Sequence, residues 1–371
     1  MNKHLKAVNS MAWSNEEYQC KLQRIRELIS KEQVDYVLLS NQLSIMWLTG
    51  GRSYVNQAAD KACADILIGK DRVFLVSNNI ESPRLLNEEF VDLNMESVVY
   101  NWWDNQGFQK ALTDVVGSDK LLSEVQLGGK LARLRWNLLP GEQARYNETG
   151  RAVADILEFA AFSVCPGMSE IDIAKVMKQK AIELGVNPWI TLVAADDRGY
   201  QYRHFLPTET KLQKYLMLSM TAEKYGLYAS ATRLVHFGRV SVDLLERYEA
   251  VSYVDTAYIA STVPGASVAK IFAQAVENYK TVGYEGEWMK HHQGGMVGYV
   301  PREYRATTES CDSVAKGYAY AWNPSIAGVK SEDTILVSAN GPIILTKPDK
   351  FPVKEFVYNN MAIKRPAILV R

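Results

Sequence analysis

The chain has 371 residues, and 42 basic side chains balance 42 acidic ones, so its formal net charge at pH 7 is zero. A neutral chain offers no electrostatic reason to bind nucleic acid or an anionic membrane surface. Its length and its 47% hydrophobic residues suffice for two domains, and it lacks the run of about 18 apolar residues that a membrane-spanning helix needs.

The pattern of cysteines indicates the cellular compartment. Four are scattered along the chain, at positions 20, 63, 165 and 311, and form no CxxC or Cys/His pattern. Cysteines spaced in this way are typical of reduced thiols. The first 14 residues contain basic side chains but no apolar segment of the kind found in a signal peptide. We therefore expect a cytoplasmic protein.

The first third of the chain alternates predicted helices with predicted strands. Apolar residues at helical spacing predict a helix over 15–30, with Ser14 and Glu17 as a candidate capping box. Further predicted segments are a strand at 35–39, an apolar element at 45–51, a hairpin with strands 64–68 and 72–76, and helices at 82–90 and 105–116. This order predicts an α/β domain over residues 1–137. A turn predicted from Leu138 to Gly141 separates it from a second domain, 138–371.

An internal repeat organises the second domain, which opens with a helix predicted over 142–162. Pro-Gly occurs at 166–167 and at 264–265, and each copy is followed two residues later by serine and then by a predicted helix. In both copies the glycine that closes the helix lies 18 residues after the first glycine. Ser169 and Ser267 are therefore candidate N-caps, and Gly185 and Gly283 are candidate residues just past the helix ends. The repeat predicts two related αβ halves, and an internal interface of that kind is where ligand pockets form.

Five short segments of this domain carry unusual residue combinations. Residues 291–303 place two of the five histidines side by side, before three glycines in five residues, so we treat this loop as a candidate for chemistry. A buried strand and turn with one hydrogen-bonded histidine is the alternative. The segments read Tyr-Arg-His-Phe-Leu-Pro-Thr at 202–208, Gly-Leu-Tyr-Ala-Ser-Ala-Thr-Arg at 226–233, His-His-Gln-Gly-Gly-Met-Val-Gly-Tyr-Val-Pro-Arg-Glu at 291–303, Lys-Gly-Tyr-Ala-Tyr-Ala-Trp-Asn-Pro at 316–324 and Gly-Val-Lys-Ser-Glu-Asp-Thr-Ile-Leu-Val at 328–337.

In order and spacing these segments resemble the motifs of a known family. Residues from about 140 to 371 resemble the pita-bread fold of creatinase, prolidase, aminopeptidase P and methionine aminopeptidase. Residues 24–39 and the Trp-Leu-Thr-Gly at 47–50 are similar to the creatinase-type N-terminal domain. The resemblance implies an α+β protein, with a creatinase-type α/β N-terminal domain followed by a pseudo-two-fold pita-bread domain.

The resemblance also locates the metal ligands of the peptidases, which are Asp, Asp, His, Glu and Glu. The two aspartate positions, 11 residues apart, are Ser219 and Ser230 here, and the histidine and first glutamate positions are Gly295 and Asn323. The family's second histidine is replaced by Arg302, and only the last ligand survives, as Glu332. One carboxylate cannot hold two dications, which need several carboxylate oxygens and an imidazole. We therefore predict that the family's metal pair is not bound and that no cofactor is needed.

The resemblance implies that His204 is the proton-transfer residue, because creatinase uses the corresponding histidine and works without metal. An imidazole whose pKa lies near neutral pH can take a proton from water and return it to a leaving nitrogen. A hydrogen-bonded histidine with no catalytic part is the alternative. Glu332 is the second predicted catalytic residue, which would orient this imidazole or bind a substrate nitrogen.

The predicted substrate contacts surround these two residues. Arg203, Arg302 and Lys330 near a single carboxylate would make the cavity basic and favour a substrate with a carboxylate. The alternative is that each of the three is paired with Glu303, Asp333 or a surface acid. Asn323 offers both a donor and an acceptor to an amide or guanidino group, and one of the two adjacent histidines is expected to face the cavity. The full set of predicted contacts is Arg203, Arg233, His291, His292, Arg302, Glu303, Trp322 and Asn323, with Lys330 as a further basic residue.

Three functions are open at this point. The first is a metal-independent, creatinase-like hydrolase that cleaves a C–N bond of a small, carboxylate-bearing molecule. The second is a catalytically dead protein that binds a small molecule or a protein partner in the pita-bread cavity. The third is an Xaa-Pro peptidase with an atypical metal site built on His291, His292 and Glu332. The resemblance also implies a homodimer, and nothing indicates a nucleic-acid or membrane partner.

Overall fold

The computed structural model describes residues 13–371. The expectation that no signal peptide is present rests mostly on residues 1–12, which lie outside this range. No helix among the described residues is long and apolar enough to cross a membrane. The chain divides into two compact units, one up to Gly141 and the other from Glu142 to Arg371.

The first unit contains a small mixed sheet and its helices. The elements are α1 (Asn15–Glu32), β1 (Tyr36–Asn41), α2 (Gln42–Thr49), β2 (Lys61–Gly69), β3 (Val73–Asn78), α3 (Ser82–Arg84) with a π-helical turn at Leu85–Glu89, β4 (Glu96–Tyr100), α4 (Gly107–Val116), β5 (Leu121–Ser123), α5 (Glu124–Leu127) and α6 (Gly129–Trp136). The sheet order is β4-β3-β2-β1-β5. The hairpin of β2 and β3 and the alternation of helices and strands are as predicted.

The start of α1 and the end of α2 are each determined by a residue at the helix boundary. The Ser14 side chain accepts a hydrogen bond from the Glu17 backbone N–H, which caps α1. The apolar segment at 45–51 forms most of helix α2, and Gly50 ends it with φ of 74°. Glycine is favourable at this left-handed position because it has no Cβ and so avoids the steric cost that another residue would bear there.

The second unit contains the two predicted αβ halves. Its elements are α7 (Pro140–Ser163), α8 (Glu170–Glu183), β6 (Asn187–Ala195), α9 (Arg198–Gln201), β7 (Tyr215–Lys224), β8 (Leu227–His236), α10 (Val242–Ser261), α11 (Val268–Thr281), a 3-10 turn at Glu287–Lys290, β9 (Gly294–Val297), β10 (Tyr304–Arg305), β11 (Ala319–Trp322), β12 (Ser325–Ile326), β13 (Val329–Lys330), β14 (Asp333–Ser338), β15 (Gly341–Ile344), β16 (Val353–Tyr358), β17 (Met361–Pro366) and β18 (Leu369–Val370). The turn predicted at Pro140 and Gly141 is wrong, since both residues lie in the first turn of α7. Proline is favourable there because its missing N–H would have no partner in the helix.

The repeat is visible in the backbone hydrogen bonds at both helix starts. Ser169 caps α8 and Ser267 caps α11, as predicted. Both serines also form an isolated antiparallel bridge, to Lys211 in one half and to Ser313 in the other. The glycines after the two helices, Gly185 and Gly283, have φ of 64° and 81°. The two halves therefore share the same local construction.

Each half contributes one sheet, and the two sheets meet at β8 and β14. The first sheet has the order β18-β8-β7-β6 and the second has the order β10-β9-β11-β14-β15. Thr232 N–H donates to the Glu332 carbonyl oxygen (3.0 Å), and Ser230 N–H donates to Thr334 Oγ1 (2.8 Å). This seam brings the polar side chains of β7 and β8 next to the segment that leads into β14.

Strand β9 requires its two glycines. Gly294 and Gly295 have φ of 94° and 151° and pair with β11 on one side and, for Gly295, with β10 on the other. A Cβ on Gly294 would overlap the Ala321 carbonyl oxygen, and one on Gly295 would overlap that of Tyr304. The close approach of backbone expected at this glycine stretch is thus to neighbouring strands.

Candidate functional site

Three histidines from the two halves meet in the second unit. His291 and His292 lie between the 3-10 turn and β9, and His204 lies in the loop after α9. The Nε2 atoms of His204 and His291 are 3.3 Å apart, and the rings of His204 and His292 are 5.9 Å apart between centroids. One potential ligand nitrogen from each ring lies within 4.8 Å of the other two. We call these side chains the imidazole cluster; both adjacent histidines face it.

The imidazole cluster lies in surroundings that disfavour positive charge on the rings. Burial lowers the pKa of His291 to about 2, and the charge of Lys330 contributes. Burial likewise lowers the pKa of His292 to about 4, with Arg302 as the second cause. Burial also lowers the pKa of His204, which is the most exposed of the three. At neutral pH each ring is therefore neutral and keeps one nitrogen lone pair.

Hydrogen bonds hold the His291 ring and its loop in place. His291 Nδ1 lies 3.1 Å from Ser325 Oγ. The Tyr279 hydroxyl accepts from the Ser325 backbone N–H (2.9 Å) and donates to Gln293 Oε1 (2.9 Å). By contrast, Nδ1 of His292 is buried and has no hydrogen-bond partner among the described residues. A buried, unpartnered nitrogen is costly, so its place beside two other imidazoles suggests a ligand.

Glu332, whose charge acts on all three histidines of the imidazole cluster, lies in a buried ionic network. Its carboxylate is 2.8 Å from Lys330 Nζ and 3.3 Å from Arg302 Nη2. Thr232 Oγ1 donates to it at 2.9 Å, and Lys330 Nζ also donates to Ser219 Oγ at 2.9 Å. Burial alone would raise the pKa of Glu332, but the charges of Lys330 and Arg302 outweigh it and lower the pKa to about 2. The carboxylate is therefore ionised and neutralised from within the chain.

The other positions that match the family's metal ligands offer few groups that could bind a metal ion. Ser219 and Ser230 lie on β7 and β8 on one face of the sheet, and the Ser230 hydroxyl bonds to Thr221 Oγ1 (2.8 Å). Gly295 cannot carry any side chain in this backbone, because a Cβ would overlap the Tyr304 carbonyl oxygen. Asn323 is buried, and its Oδ1 has no hydrogen-bond partner within residues 13–371.

These residues do not fit a pair of divalent ions. Paired hard cations need several carboxylates, and this donor set contains one, already bound to an ammonium and a guanidinium group. Bringing two dications beside Lys330 and Arg302 would add strong repulsion in a buried place.

The predicted basic cavity needs correction. Arg203 forms an ion pair with Glu287, which also accepts from Lys290. The charges of Lys330 and Arg302 are partly offset by Glu332. Of the two possibilities, the structure therefore has the paired one, with Glu287 and Glu332 as the acids instead of Glu303 or Asp333.

Two predicted substrate contacts are core residues. The Arg233 side chain is fully buried, where it pairs with Asp333 (3.0 Å) and donates to the Thr346 carbonyl oxygen (2.7 Å). The Trp322 ring stacks on Tyr258, with ring centroids 4.5 Å apart. Both residues are therefore structural, and their proposed contact with substrate is withdrawn.

Two predicted arrangements around Glu332 are also corrected. Glu332 was expected to orient the His204 imidazole, but the near neighbour of that ring is His291. One of the three functions left open by the sequence also grouped Glu332 with His291 and His292 in an atypical metal site. The three side chains that converge are instead the histidines of the imidazole cluster, because Lys330 and Arg302 hold the carboxylate. Glu303 lies in the turn between β9 and β10 and donates its backbone N–H to Met296 (2.9 Å); its contact with substrate stays a prediction.

The sequence reasoning missed the partners of these groups. Lys330 was recognised as basic but not as the counter-ion of Glu332, although residues two apart in an extended segment point to the same side. Ser325 lies two residues after Asn323, and only the tertiary structure shows that its hydroxyl reaches His291. No sequence signal identifies Tyr279, which lies on α11.

Comparison with known proteins places this geometry in context. The sequence profile of metallopeptidase family M24 matches residues 144–339. An uncharacterized peptidase of Staphylococcus epidermidis is 22% identical over 360 residues, which cover 89% of this chain and 99% of that protein. An Xaa-Pro dipeptidase from Bacillus anthracis has a TM-score of 0.75 at 17% identity, covering 95% of this chain and 100% of that one. A dipeptidase from Pyrococcus horikoshii has a TM-score of 0.76 at 20% identity, covering 89% and 98%. These likenesses confirm the predicted fold, an α/β N-terminal part followed by a pita-bread part.

Proposed function

The chain belongs to metallopeptidase family M24, within the creatinase and aminopeptidase P superfamily, and we propose that it hydrolyses a C–N bond of a small, carboxylate-bearing molecule without that family's metal pair. The observation that carries this proposal is the contact of 3.3 Å between His204 Nε2 and His291 Nε2. It supports His204 as a proton carrier, and the charges of Lys330, Glu332 and Arg302 that act on this ring support a role for their buried network in binding and polarising a substrate.

His204 is the proton carrier in this proposal. Its side chain is exposed, so a substrate can reach it, while His291 is buried and held by Ser325. A water oxygen would add to the substrate carbon as the His204 imidazole takes one proton from that water. The same proton would then pass to the leaving nitrogen as the C–N bond breaks, which restores the neutral ring.

The ionic network of Lys330, Glu332 and Arg302 would stabilise the charge that develops on the substrate during the reaction. The Lys330 ammonium has three N–H donors, and Glu332 and Ser219 accept two of them. We propose that the third donor polarises the substrate carbonyl or amidino group as negative charge develops on it. Asn323, with its buried and unpartnered Oδ1, would accept from a substrate N–H.

The preference for a carboxylate rests on a modest excess of positive charge. Arg302 and Arg305 lower the pKa of His292 through their charges, and Glu332 opposes them. Lys330 lowers the pKa of His204 in the same way, so basic groups outnumber the one acidic group among the side chains that act on these rings. A substrate carboxylate would offset part of this positive charge, while both Nη atoms of Arg302 already donate to Pro301 and Glu332. A homodimer, implied by the resemblance, remains a proposal.

The decisive experiment compares turnover in a metal chelator with turnover in a histidine variant. Purified protein would be assayed by mass spectrometry against amides, amidino acids and dipeptides that carry a carboxylate, with and without EDTA. We expect product in EDTA at a rate no lower than the rate without it, and loss of product in His204→Ala. His236→Asn is the matched control, because the asparagine amide can keep the bond that His236 Nδ1 makes to the Gly238 carbonyl oxygen (3.1 Å). Unchanged turnover in folded His204→Ala would refute the proposal.

A second candidate function is ligand binding without turnover. The buried unpartnered atoms of Asn323 and His292 favour it as much as they favour catalysis, since either ligand or substrate would satisfy them. Compounds that raise the melting temperature without being converted would support binding alone.

A further inference from the structure

The spacing of the imidazole cluster matches the coordination shell of one transition-metal ion. Zinc binds imidazole nitrogen at about 2.0–2.1 Å, so two nitrogens of a tetrahedral site lie about 3.3 Å apart. The distance between the Nε2 atoms of His204 and His291 is 3.3 Å. The third ring, His292, brings a ligand nitrogen within 4.8 Å of both, so a small rotation of that ring would complete a three-nitrogen site.

We propose that His204, His291 and His292 form a site for a single Zn²⁺ or similar imidazole-binding cation. The site is distinct from the positions that match the family's metal pair, because none of its three ligands is one of those positions. It draws on both αβ halves, so only the folded domain assembles it.

The chemistry of the donors selects the class of metal. Three neutral nitrogens and no carboxylate suit Zn²⁺, Cu²⁺, Ni²⁺ or Co²⁺, whereas Mg²⁺, Ca²⁺ and Mn²⁺ prefer oxygen ligands. The rings are already neutral, so binding displaces few protons. Ser325 at Nδ1 of His291 is the kind of outer partner that fixes the orientation of a ligating ring.

Neighbouring charged side chains affect which ligand would take the fourth coordination position of the bound ion. Lys330, Arg302 and Arg305 all act electrostatically on His204, and Glu332 opposes them. These cations weaken the binding of a bare dication and favour an anion as its fourth ligand. A hydroxide or a substrate carboxylate would meet this requirement, and a site with three histidines leaves that position open.

The proposed function gives metal binding a consequence for turnover. A cation on the His204 imidazole would prevent this ring from taking up a proton, so the ion would inhibit metal-free hydrolysis. Only this consequence rests on the proposed function; the site itself does not. If the site binds metal and no substrate is ever converted, the proposed function fails and the site stands. If turnover occurs and no metal binds, the reverse holds.

The test titrates chelator-treated protein with Co²⁺, follows the visible ligand-field absorption of the ion, and then displaces it with Zn²⁺. We expect one ion per chain with the intense bands of a four- or five-coordinate site. His204→Ala, at an exposed position, should weaken binding by at least about tenfold, since a lost ligand costs more than a lost outer partner. His292→Ala should do the same.

Two control variants separate this site from other sources of binding. His236→Asn removes a histidine outside the cluster, and Ser230→Ala alters a position that matches a ligand of the family's metal pair. Both should bind Co²⁺ as the unaltered protein does. Binding that survives His204→Ala, two ions per chain, loss of binding in Ser230→Ala, or no absorption at millimolar Co²⁺ would each overturn the proposal.

Discussion

Lys330 Nζ lies 2.8 Å from Glu332 Oε2, so an ammonium group of the chain itself neutralises the one carboxylate that matches the ligand set of the metallopeptidases. Both side chains are almost fully buried, with 6% and 4% of their surface exposed. Arg302 adds a second cation at 3.3 Å. These two cations explain how one buried carboxylate can stay ionised although the other positions that match the metal ligands carry no carboxylate.

The first prediction concerns this ion pair. Lys330→Met should destabilise the protein by about 3–5 kcal/mol, because it leaves a buried carboxylate with only Arg302 as counter-ion. The double variant Lys330→Met with Glu332→Gln should be less destabilised, because the unmatched charge is gone. Urea denaturation measures both losses. Lys354→Met is the control; its exposed pair with Glu249 should be worth no more than about 1 kcal/mol. Equal losses for Lys330→Met and Lys354→Met would contradict the prediction.

The second prediction concerns the dependence of stability on pH. The pKa of Glu332 falls from 4.5 to about 2 on folding, so the folded protein binds this proton less readily than the unfolded chain. The resulting stabilisation is fully present above pH 4.5 and is lost as pH falls towards 2. Its size is on the order of 3 kcal/mol.

Urea denaturation at several pH values between 3 and 7 should therefore show a weaker acid-side slope in Glu332→Gln than in the unaltered protein. Glu355→Gln, on the exposed face of β16, is the matched control and should keep the slope. Identical slopes in the two variants would show that Glu332 is not held ionised.

The third prediction separates two costs of replacing glycine. Gly185 and Gly295 both have positive φ, but only Gly295 faces backbone where a Cβ would be. Gly185→Ala should cost about 1–2 kcal/mol, the price of a left-handed alanine. Gly295→Ala should cost about 3 kcal/mol or more, because the strand cannot move away from β10. Equal unfolding free energies of the two variants would contradict this geometry. By the same reasoning, Gly295→His should not restore a metal-pair ligand.

The fourth prediction tests Ser325 as a positioning residue. Ser325→Ala removes the partner of His291 Nδ1 and should weaken Co²⁺ binding about 10–100-fold. The loss of stability should be only about 1 kcal/mol, the worth of one hydrogen bond. Ser325→Thr keeps the hydroxyl and should recover much of the affinity. Weak binding in both variants would instead indicate general damage to the loop.

Much of the fold could be predicted because its signals are local. The serines that cap α8 and α11 and the glycines that follow these helices act within a few residues of chain. The hairpin of β2 and β3 likewise depends on a turn of adjacent residues. The turn expected at Pro140 failed because proline is compatible both with a turn and with the first turn of a helix.

The candidate site was predicted less completely because its contacts are distant in sequence. Arg233 meets Asp333 after 100 residues, and Arg203 meets Glu287 after 84. A single sequence shows that these charges exist, but ion pairing depends on which strands lie side by side. For the same reason His204, identified early, could not be linked to His291, which is 87 residues away.

By itself the sequence determined the two related halves, because the repeat depends only on spacing and residue identity. Its resemblance to the pita-bread family implied the α+β class and the loss of all but one carboxylate from the positions that match a metal pair. Only the tertiary structure decided that Lys330 and Arg302 hold Glu332, that Arg233 and Trp322 belong to the core, and that three histidines converge. These are distances of a few ångströms between side chains, and they depend on elements that only the fold brings together, such as β8 of one sheet against β14 of the other, not on neighbours along the chain.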